Sequence, residues 1–380
     1  MIPFNKPYLA GNETKYIANA IKSGKISGNG MYTKECHSFF EKKYNFNKCL
    51  LTTSCTDALE MAAILIDTQP GDEIIMPAFT FVSTANAFVL RGAKIVFVDS
   101  KPHSPGIDET KIEALITNRT KAIVPVHYAG VACDMDKIMK LAHKYHLFVI
   151  EDAAQAIDSF YTSVNGEKTR LGSIGHLAAF SFHETKNITS GEGGMLVIND
   201  TQFVKRAEII WEKGTNRSAY FKGEVNKYEW VDIGSSFLPS EIIAAFLAAQ
   251  LENIDKIQQR RKNIWETYYK KLNVLVAKKH IQLPFIPEYA SNNAHLFYII
   301  CSSANERGKL IEYLKSNGIM AVFHYQSLPN SFYYSNEKKE KQFLNSDKYS
   351  DCLLRLPLFY ELKTKDLNYI CDKIIDFYSK

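Results

Sequence analysis

Ser181-Phe182-His183-Glu184-Thr185-Lys186-Asn187, followed by Gly191-Glu192-Gly193-Gly194, is the stretch on which the reading of this chain turns. An apolar run over residues 177–182 leads into it, and a glycine-rich turn leaves it. Taken alone, Lys186 has the setting of an ordinary surface lysine at a strand end. A second stretch changes the weights. Glu151-Asp152-Ala153-Ala154-Gln155 follows another apolar run, residues 147–150. A lysine amine attacks an aldehyde only when deprotonated, so it needs a buried or electropositive setting. A ring that accepts the electrons of a carbanion needs a carboxylate beside its protonated nitrogen. Asp152 and Lys186, at the ends of neighbouring strands, supply both. The pair reads as a pyridoxal phosphate site with Lys186 as the covalent attachment point.

The 380 residues are 46% hydrophobic and 23% charged, which suits one large domain and one smaller one. The net charge of +5 is modest. Lys and Arg are scattered, apart from short clusters such as Arg260-Arg261-Lys262 and Lys338-Lys339-Glu340-Lys341. These read as solvated faces, so no nucleic-acid partner is expected. The mild positive bias suits a phosphate-bearing substrate. Cys36, Cys49, Cys55, Cys133, Cys301, Cys352 and Cys371 form no CxxC pair. Such a dispersed, odd set reads as reduced thiols in the cytoplasm, and no metal site is expected. Neither a secretory leader nor a run of membrane-spanning length is expected.

Before the Lys186 stretch, short apolar strands alternate with helical patterns. Residues 23–30 hold too much glycine for an element interior and read as an ordered loop. Residues 49–53 read as a strand, after which Ser54-Cys55-Thr56-Asp57 opens a helix over 58–66. Small hydroxyl residues there cap the helix and leave free N–H groups, an anion site. A plain N-cap fits the same residues, and only the pyridoxal phosphate reading promotes them to a phosphate cradle. Strands are expected at 74–77, 94–99, 121–127, 147–150 and 195–198, and helices at 78–89, 134–145 and 203–213. Uninterrupted apolar strands between amphipathic helices indicate an α/β fold with a mostly parallel sheet covered on both faces. Ligands bind beyond the carboxyl ends of such strands, where residues 53–54, Asp152 and residues 181–186 all fall.

The polar, aromatic stretch 214–237 reads as a long functional loop. One long helix is expected over 240–269, apolar at first and then charged, with the domain boundary along it. A pyridoxal phosphate-binding domain over 1–250 then precedes a small α+β domain over 251–380. The smaller domain has strands at 294–301 and 321–325, helices at 307–317 and 364–378, and a surface loop at 333–347.

With Asp152, Gln155, Ser181 and Lys186 in hand, the chain resembles the DegT/DnrJ/EryC1/StrS sugar aminotransferases nearly end to end. The matching stretches are 53–59, 77–84, 126–130, 151–155, 181–194 and His324-Tyr325. The resemblance implies the fold-type I pyridoxal phosphate architecture and specific roles. Lys186 would hold the cofactor, Asp152 would pair with the pyridine nitrogen and Gln155 would contact the ring hydroxyl. Phe81 would stack on the ring; from the pattern alone an aromatic there is more often simply core. The backbone of Cys55 and Thr56, with the Ser181 hydroxyl, would hold the phosphate. Many members carry an Asn that reaches the partner subunit's cofactor phosphate. Ser236 stands in that place here, and Leu238 stands where an Arg is usual.

Stretches 85–94, 182–187 and 212–218 are most similar to members that aminate C4 of a dTDP-4-keto-6-deoxyhexose for surface polysaccharides such as enterobacterial common antigen. That implies L-glutamate and a nucleotide sugar as substrates, and a homodimer with a shared site. Lys25, Asn216, Arg217 and Tyr220 are candidate nucleotide-sugar contacts, and each equally suits a structural loop. Three other readings stand beside this one. A 3-keto or UDP-linked substrate is one. A dehydratase of the same group is disfavoured by Lys186, since those enzymes carry histidine there. A non-catalytic regulator on this fold has no need to keep Lys, Asp, Gln and the cradle together.

Overall fold

The computed structural model describes residues 1–334 and 342–379. Seven strands form its central sheet: Lys48–Thr52 (β1), Glu73–Pro77 (β2), Lys94–Val98 (β3), Thr120–Ile123 (β4), Phe148–Asp152 (β5), Leu177–Ser181 (β6) and Gly194–Ile198 (β7). Their order is β1-β7-β6-β5-β4-β2-β3. β7 runs antiparallel to both neighbours, and every other pairing is parallel. Along β5, β6 and β7, alternate residues enter opposite cores. Val149, Ala178, Phe180, Met195 and Val197 face one side, and Ile150, Leu177, Ala179, Leu196 and Ile198 the other. A strand covered on both faces needs no polar side, which explains the unbroken apolar runs.

The covering helices are Glu13–Lys22 (α1), Met31–Tyr44 (α2), Cys55–Leu65 (α3), Val82–Val89 (α4), Met135–Tyr145 (α5) and Val204–Trp211 (α6). Residues of α2 and α5 join the first core, and residues of α3, α4 and α6 the second. The expected loop 214–237 contains a short helix, Arg217–Phe221 (α7). The single helix expected over 240–269 is two, Glu241–Leu251 (α8) and Ile254–Ala277 (α9). No glycine or proline marks the break. α8 packs into the first sheet core; α9 begins there with Ile254 and Ile257 and passes into a third core through Ile264, Trp265, Tyr268 and Leu272.

That third core is closed by Phe297–Ile300 (β8), Ala304–Ser316 (α10), Leu353–Leu356 (β9) and Thr364–Tyr378, with Leu344–Cys352 (α11) alongside. β8 and β9 pair antiparallel. Residues 321–325, expected as a strand, make only the isolated bridge between Val322 and Arg355. The loop expected over 333–347 is helical from Leu344, and its central part, with the lysines of 338–341, lies outside the described residues.

Two local devices fix the surroundings of the site. Buried Glu241 accepts from the N–H groups of Gly30 (2.9 Å), Tyr32 (2.7 Å) and Thr33 (3.1 Å). A carboxylate is stabilised there by the unpaired donors and positive end of α2. The second device lines the outer edge of β1. Cys49 N donates to Glu41 Oε1 (3.1 Å), Leu51 N to His37 Nε2 (2.8 Å) and Trp211 Nε1 to Leu51 O (2.6 Å). Burial brings His37 down to about 3, so it remains a neutral acceptor.

Candidate active site

The carboxyl ends of β1, β5 and β6 converge on a cavity of about 560 Å³. Asp152, the last residue of β5, is 6% exposed. Its Oδ2 accepts from Thr84 Oγ1 (2.7 Å) and its Oδ1 from Ala154 N (3.2 Å). Burial pushes the Asp152 carboxyl above its ordinary range, against these donors and the nearby charge of Lys186. Lys186 lies in the turn after β6, where its N–H donates to His183 O (2.9 Å). Burial lowers its pKa; Cys55 and Asp152 oppose that effect, and Arg355 adds to it. A depressed lysine pKa is what nucleophilic amine chemistry requires.

Around this pair stand the remaining cavity residues. Gln155 Oε1 accepts from Ala129 N (2.7 Å), and its Nε2 donates to Tyr325 Oη (3.0 Å). One amide hydrogen of Gln155 is left over. Ser54 caps α3 through Asp57 N (3.1 Å), so the N–H groups of Cys55 and Thr56 have no intrahelical partner. A Cβ on Gly194 would come within 2.4 Å of Cys55 N, so only glycine lets β7 lie against this helix start. Ser181, at the end of β6, and Phe81, 53% exposed and 5.7 Å from the Tyr325 ring, complete the wall.

These residues suit pyridoxal phosphate on their own chemistry. A buried carboxyl raised by desolvation is stabilised as an anion by a protonated nitrogen within reach. A helix start with spare N–H groups and a neighbouring serine hydroxyl takes a phosphate. The lysine is partly buried, with its proton easily removed.

Behind the cavity lies a device that the sequence reading did not single out. Glu151 is fully buried and accepts from Gly172 N (2.8 Å), Ile174 N (2.8 Å) and Gly175 N (2.7 Å). His127 Nε2 lies 2.9 Å from Glu151 Oε2. His127 Nδ1 accepts from Cys133 N (3.3 Å), so Nε2 carries the proton and donates. Burial alone would raise Glu151, but these donors outweigh it and hold the carboxyl below its ordinary value.

The structure brings Cys55, Thr56, Phe81, Asp152, Gln155, Ser181 and Lys186 together and adds Thr84, His183, Glu192, His324, Tyr325 and Arg355. The other candidates stand elsewhere. Lys25 and Arg217 line a second cavity of about 490 Å³ with Lys34, Lys48 and Lys222. Asn216 Oδ1 accepts from Glu229 N (2.7 Å) and Tyr220 packs on Phe221 (5.4 Å), so neither lines a cavity described here. Ser236 is exposed, bridges to Glu212 and lies outside the Lys186 cavity of its own chain. Arg355 and Thr84 carry no local sequence signal of a site, because only the fold brings them to Lys186.

Among the described residues no helix is long and apolar enough to cross a membrane. Residues 7–375 match the model of the DegT/DnrJ/EryC1/StrS aminotransferase family. The spore coat polysaccharide biosynthesis protein SpsC of Bacillus subtilis is 31% identical, over 99% of this chain and 96% of its own. A GDP-perosamine synthase of Escherichia coli O157:H7 is 32% identical, over 100% of this chain and 99% of its own. Among solved structures, the PLP form of the putative sugar aminotransferase Spr1654 from Streptococcus pneumoniae superposes with a TM-score of 0.89 at 26% identity, covering 100% of this chain and 98% of that one. The chain therefore belongs to the DegT/DnrJ/EryC1/StrS aminotransferase family, and its cofactor is pyridoxal phosphate.

Proposed function

We propose that the protein moves an amino group from L-glutamate to C4 of a dTDP-4-keto-6-deoxyhexose, giving a dTDP-4-amino-4,6-dideoxy sugar for a cell-surface polysaccharide. The observation that carries this reading is the convergence of Lys186, Asp152, Gln155, Ser181 and the start of α3 on one cavity. When bound, pyridoxal phosphate supplies an aldehyde that takes the amine and a ring that stores an electron pair. Lys186 would anchor it, would take the proton from the donor Cα in the first half-reaction, which releases the 2-oxo acid, and would deliver a proton to the sugar C4 in the second. Asp152 would pair with the ring nitrogen, the spare amide hydrogen of Gln155 would meet the ring hydroxyl, and Phe81 would lie on the ring face. The N–H groups of Cys55 and Thr56, with the Ser181 hydroxyl, would take the phosphate.

An enzyme acting on a ketone within a nucleotide sugar must hold the far end of that ligand. Around the second cavity, which Glu208 and Glu212 also line, Glu208 pairs with Lys48 (3.7 Å) and Lys222 (2.9 Å), while Lys25, Lys34 and Arg217 would suit a diphosphate. Asn216 and Tyr220 lie on the same segment as Arg217. In our reading the enzyme is a cytoplasmic homodimer, and residues 214–240 of one protomer, Ser236 included, serve the partner's site. The chain would divide into a cofactor-binding body over 1–250 and a smaller body over 251–380, with the boundary at the break between α8 and α9.

The choice of C4 and of dTDP rests on the resemblance of stretches 85–94, 182–187 and 212–218. A GDP-linked substrate is the second reading, favoured by the GDP-perosamine synthase relative. The test is to incubate the holoenzyme with L-glutamate and a panel of dTDP-, UDP- and GDP-linked 4-keto and 3-keto sugars, and to locate the new amine by NMR. Amination only of a 3-keto sugar, or preference for UDP or GDP, would overturn the substrate while leaving the family chemistry standing.

A further inference from the structure

We propose that Asn187 and His295 are positioning residues for the reaction: they pin the turn that carries Lys186 to residues 293–295, which also hold the stretch after Asp152. The inference rests on the family's cofactor and not on the choice of sugar or amino donor. Asn187 follows Lys186 directly and is buried. Its Nδ2 donates to Gln258 Oε1 (2.7 Å) on α9 and to Asn293 O (2.9 Å), and its Oδ1 lies 2.9 Å from His295 Nδ1. With both amide hydrogens given away, Asn187 can only accept from His295, so the ring proton sits on Nδ1. Burial, aided by the charges of Lys186 and Arg261, lowers the His295 pKa well below its ordinary value and keeps the ring neutral. Gln258 gives its carbonyl oxygen to Asn187 although its own buried Nε2 has no partner among the described residues.

The other end of this tie reaches the acid side of the cavity. Asn293 is fully buried, and its Nδ2 donates to Gln155 O and to Ile157 O, each at 2.8 Å. Its Oδ1 accepts from His295 N (3.0 Å) and sits so tightly that a Cβ on Gly130 would come within 2.0 Å of it. Ala294, between the two, is held at φ 52°, a left-handed conformation that alanine seldom adopts. Buried Arg261 of α9 donates to Ala294 O (3.1 Å) and His295 O (2.5 Å), which fixes that conformation. Strained backbone persists only where its surroundings over-determine it, and such places cluster at functional sites. The chemistry supplies a reason for the strain here. The Lys186 side chain must join the cofactor and withdraw in each turnover, while its backbone keeps its distance from Asp152 and Gln155. Those residues end two different strands, and residues 293–295 join the two ends from a third direction. A misplacement of about 1 Å, even far from the chemistry, can cost about a hundredfold in rate.

The test compares the wild-type holoenzyme with His295→Ala, His295→Asn and Gln258→Met. An asparagine amide nitrogen takes the place of imidazole Nδ1, so His295→Asn keeps the donor that His295→Ala removes. Gln258→Met keeps the volume and removes one acceptor of Asn187, and it gives up only an amide nitrogen that was unpaired. It therefore carries the test if His295→Ala does not fold. Three quantities are read: the pH midpoint of the cofactor's visible absorbance, amide exchange over residues 182–190, and the first half-reaction against L-glutamate concentration. His295→Ala is expected to slow the saturated half-reaction about tenfold to hundredfold, with the half-saturating concentration changed less than about threefold. Its absorbance midpoint should move and exchange over 182–190 should quicken. Gln258→Met shows the same changes to a smaller degree, and His295→Asn stays close to wild type. Equal losses in His295→Asn and His295→Ala would overturn the assignment. So would lowered melting temperatures with the midpoint and the saturated rate unchanged, which is the mark of a structural role alone. Wild-type enzyme inert toward L-glutamate would sink the donor reading instead, and the absorbance midpoint and exchange would still decide the role of the tie.

Discussion

Thr84 Oγ1 donates to Asp152 Oδ2 across 2.7 Å, and Thr80 Oγ1 lies 2.9 Å behind it. A hydroxyl that gives its only proton to the carboxylate must accept from its other neighbour, so the chain runs from Thr80 to Thr84 to Asp152. Removing the middle link leaves the carboxylate oxygen with one donor fewer in a buried place. Thr84→Val is therefore expected to weaken pyridoxal phosphate retention about tenfold or more, with Thr84→Ser close to wild type. Cofactor release after dilution, followed by absorbance, measures this; equal retention in all three proteins contradicts it.

Lys186→Ala is expected to lose turnover by at least about a thousandfold while keeping its fold, because one amine provides both the attachment and the proton transfer. Asp152→Asn should lose most of its activity, since a neutral amide no longer favours a protonated ring nitrogen. Single-turnover rates and melting curves together separate a chemical defect from an unfolded protein. Substantial turnover by Lys186→Ala without added amine shows that the lysine is misassigned.

Glu151 predicts an acid limb in stability. Its folded pKa lies below the unfolded value, so the native state favours the ionised form. The resulting stabilisation is fully present above the unfolded pKa and is lost as pH falls through the folded one. Glu151→Gln replaces an acceptor of three backbone N–H groups with an amide that also donates, at an expected cost of about 3–5 kcal/mol. Urea melts from pH 7 down to pH 3 should show wild type losing its advantage over the variant as acid is added. A constant difference across that range contradicts the linkage.

Gly194 and Gly308 make an opposed pair. An alanine at 194 would drive a Cβ to within 2.4 Å of Cys55 N and displace the start of α3. The expected cost is about 1–3 kcal/mol together with weaker cofactor retention. Gly308, inside α10, has nothing within 4 Å of an added Cβ. Gly308→Ala should stabilise by about 0.5–1 kcal/mol with cofactor retention unchanged. Thermal melts of the two variants with opposite signs are the expected outcome.

Sharing of sites across a dimer has a direct test. Lys186→Ala and Arg217→Ala are each expected to be impaired alone. If Arg217 serves the partner's site, half of the mixed dimers' sites are intact, and a random mixture recovers about a quarter of wild-type activity. No recovery places Arg217 in the service of its own chain.

Most of the sheet was legible because its strands are buried on both faces and leave unbroken apolar runs, as at residues 147–150 and 177–182. Asp152, Gln155, Ser181 and Lys186 were legible because they stand where those runs stop. The residues that were missed come from tertiary distance. Arg355 reaches the cavity from the other end of the chain, and nothing beside it in sequence points to a site; Tyr325 stood in a matching stretch, His324-Tyr325, but was given no role. Thr84 looks like any residue of a first helical turn. The α8–α9 break was hidden because residues 251–254 hold no glycine or proline and have ordinary helix formers on both sides. Lys25 and Arg217, named as candidate nucleotide-sugar contacts, open within one chain a different cavity from Lys186.

The outer edge of β1 bears on how copies of this protein can meet. An exposed edge strand offers free N–H and C=O groups to any extended chain and invites sheet-to-sheet growth and aggregation. Here Glu41, His37 and Trp211 occupy those groups with side chains. Because His37 titrates only near 3, mild acid does not release its hold on Leu51. Subunits pairing along this side must therefore meet through helices and loops, and a protomer shed on dilution presents no sticky strand there to seed fibres.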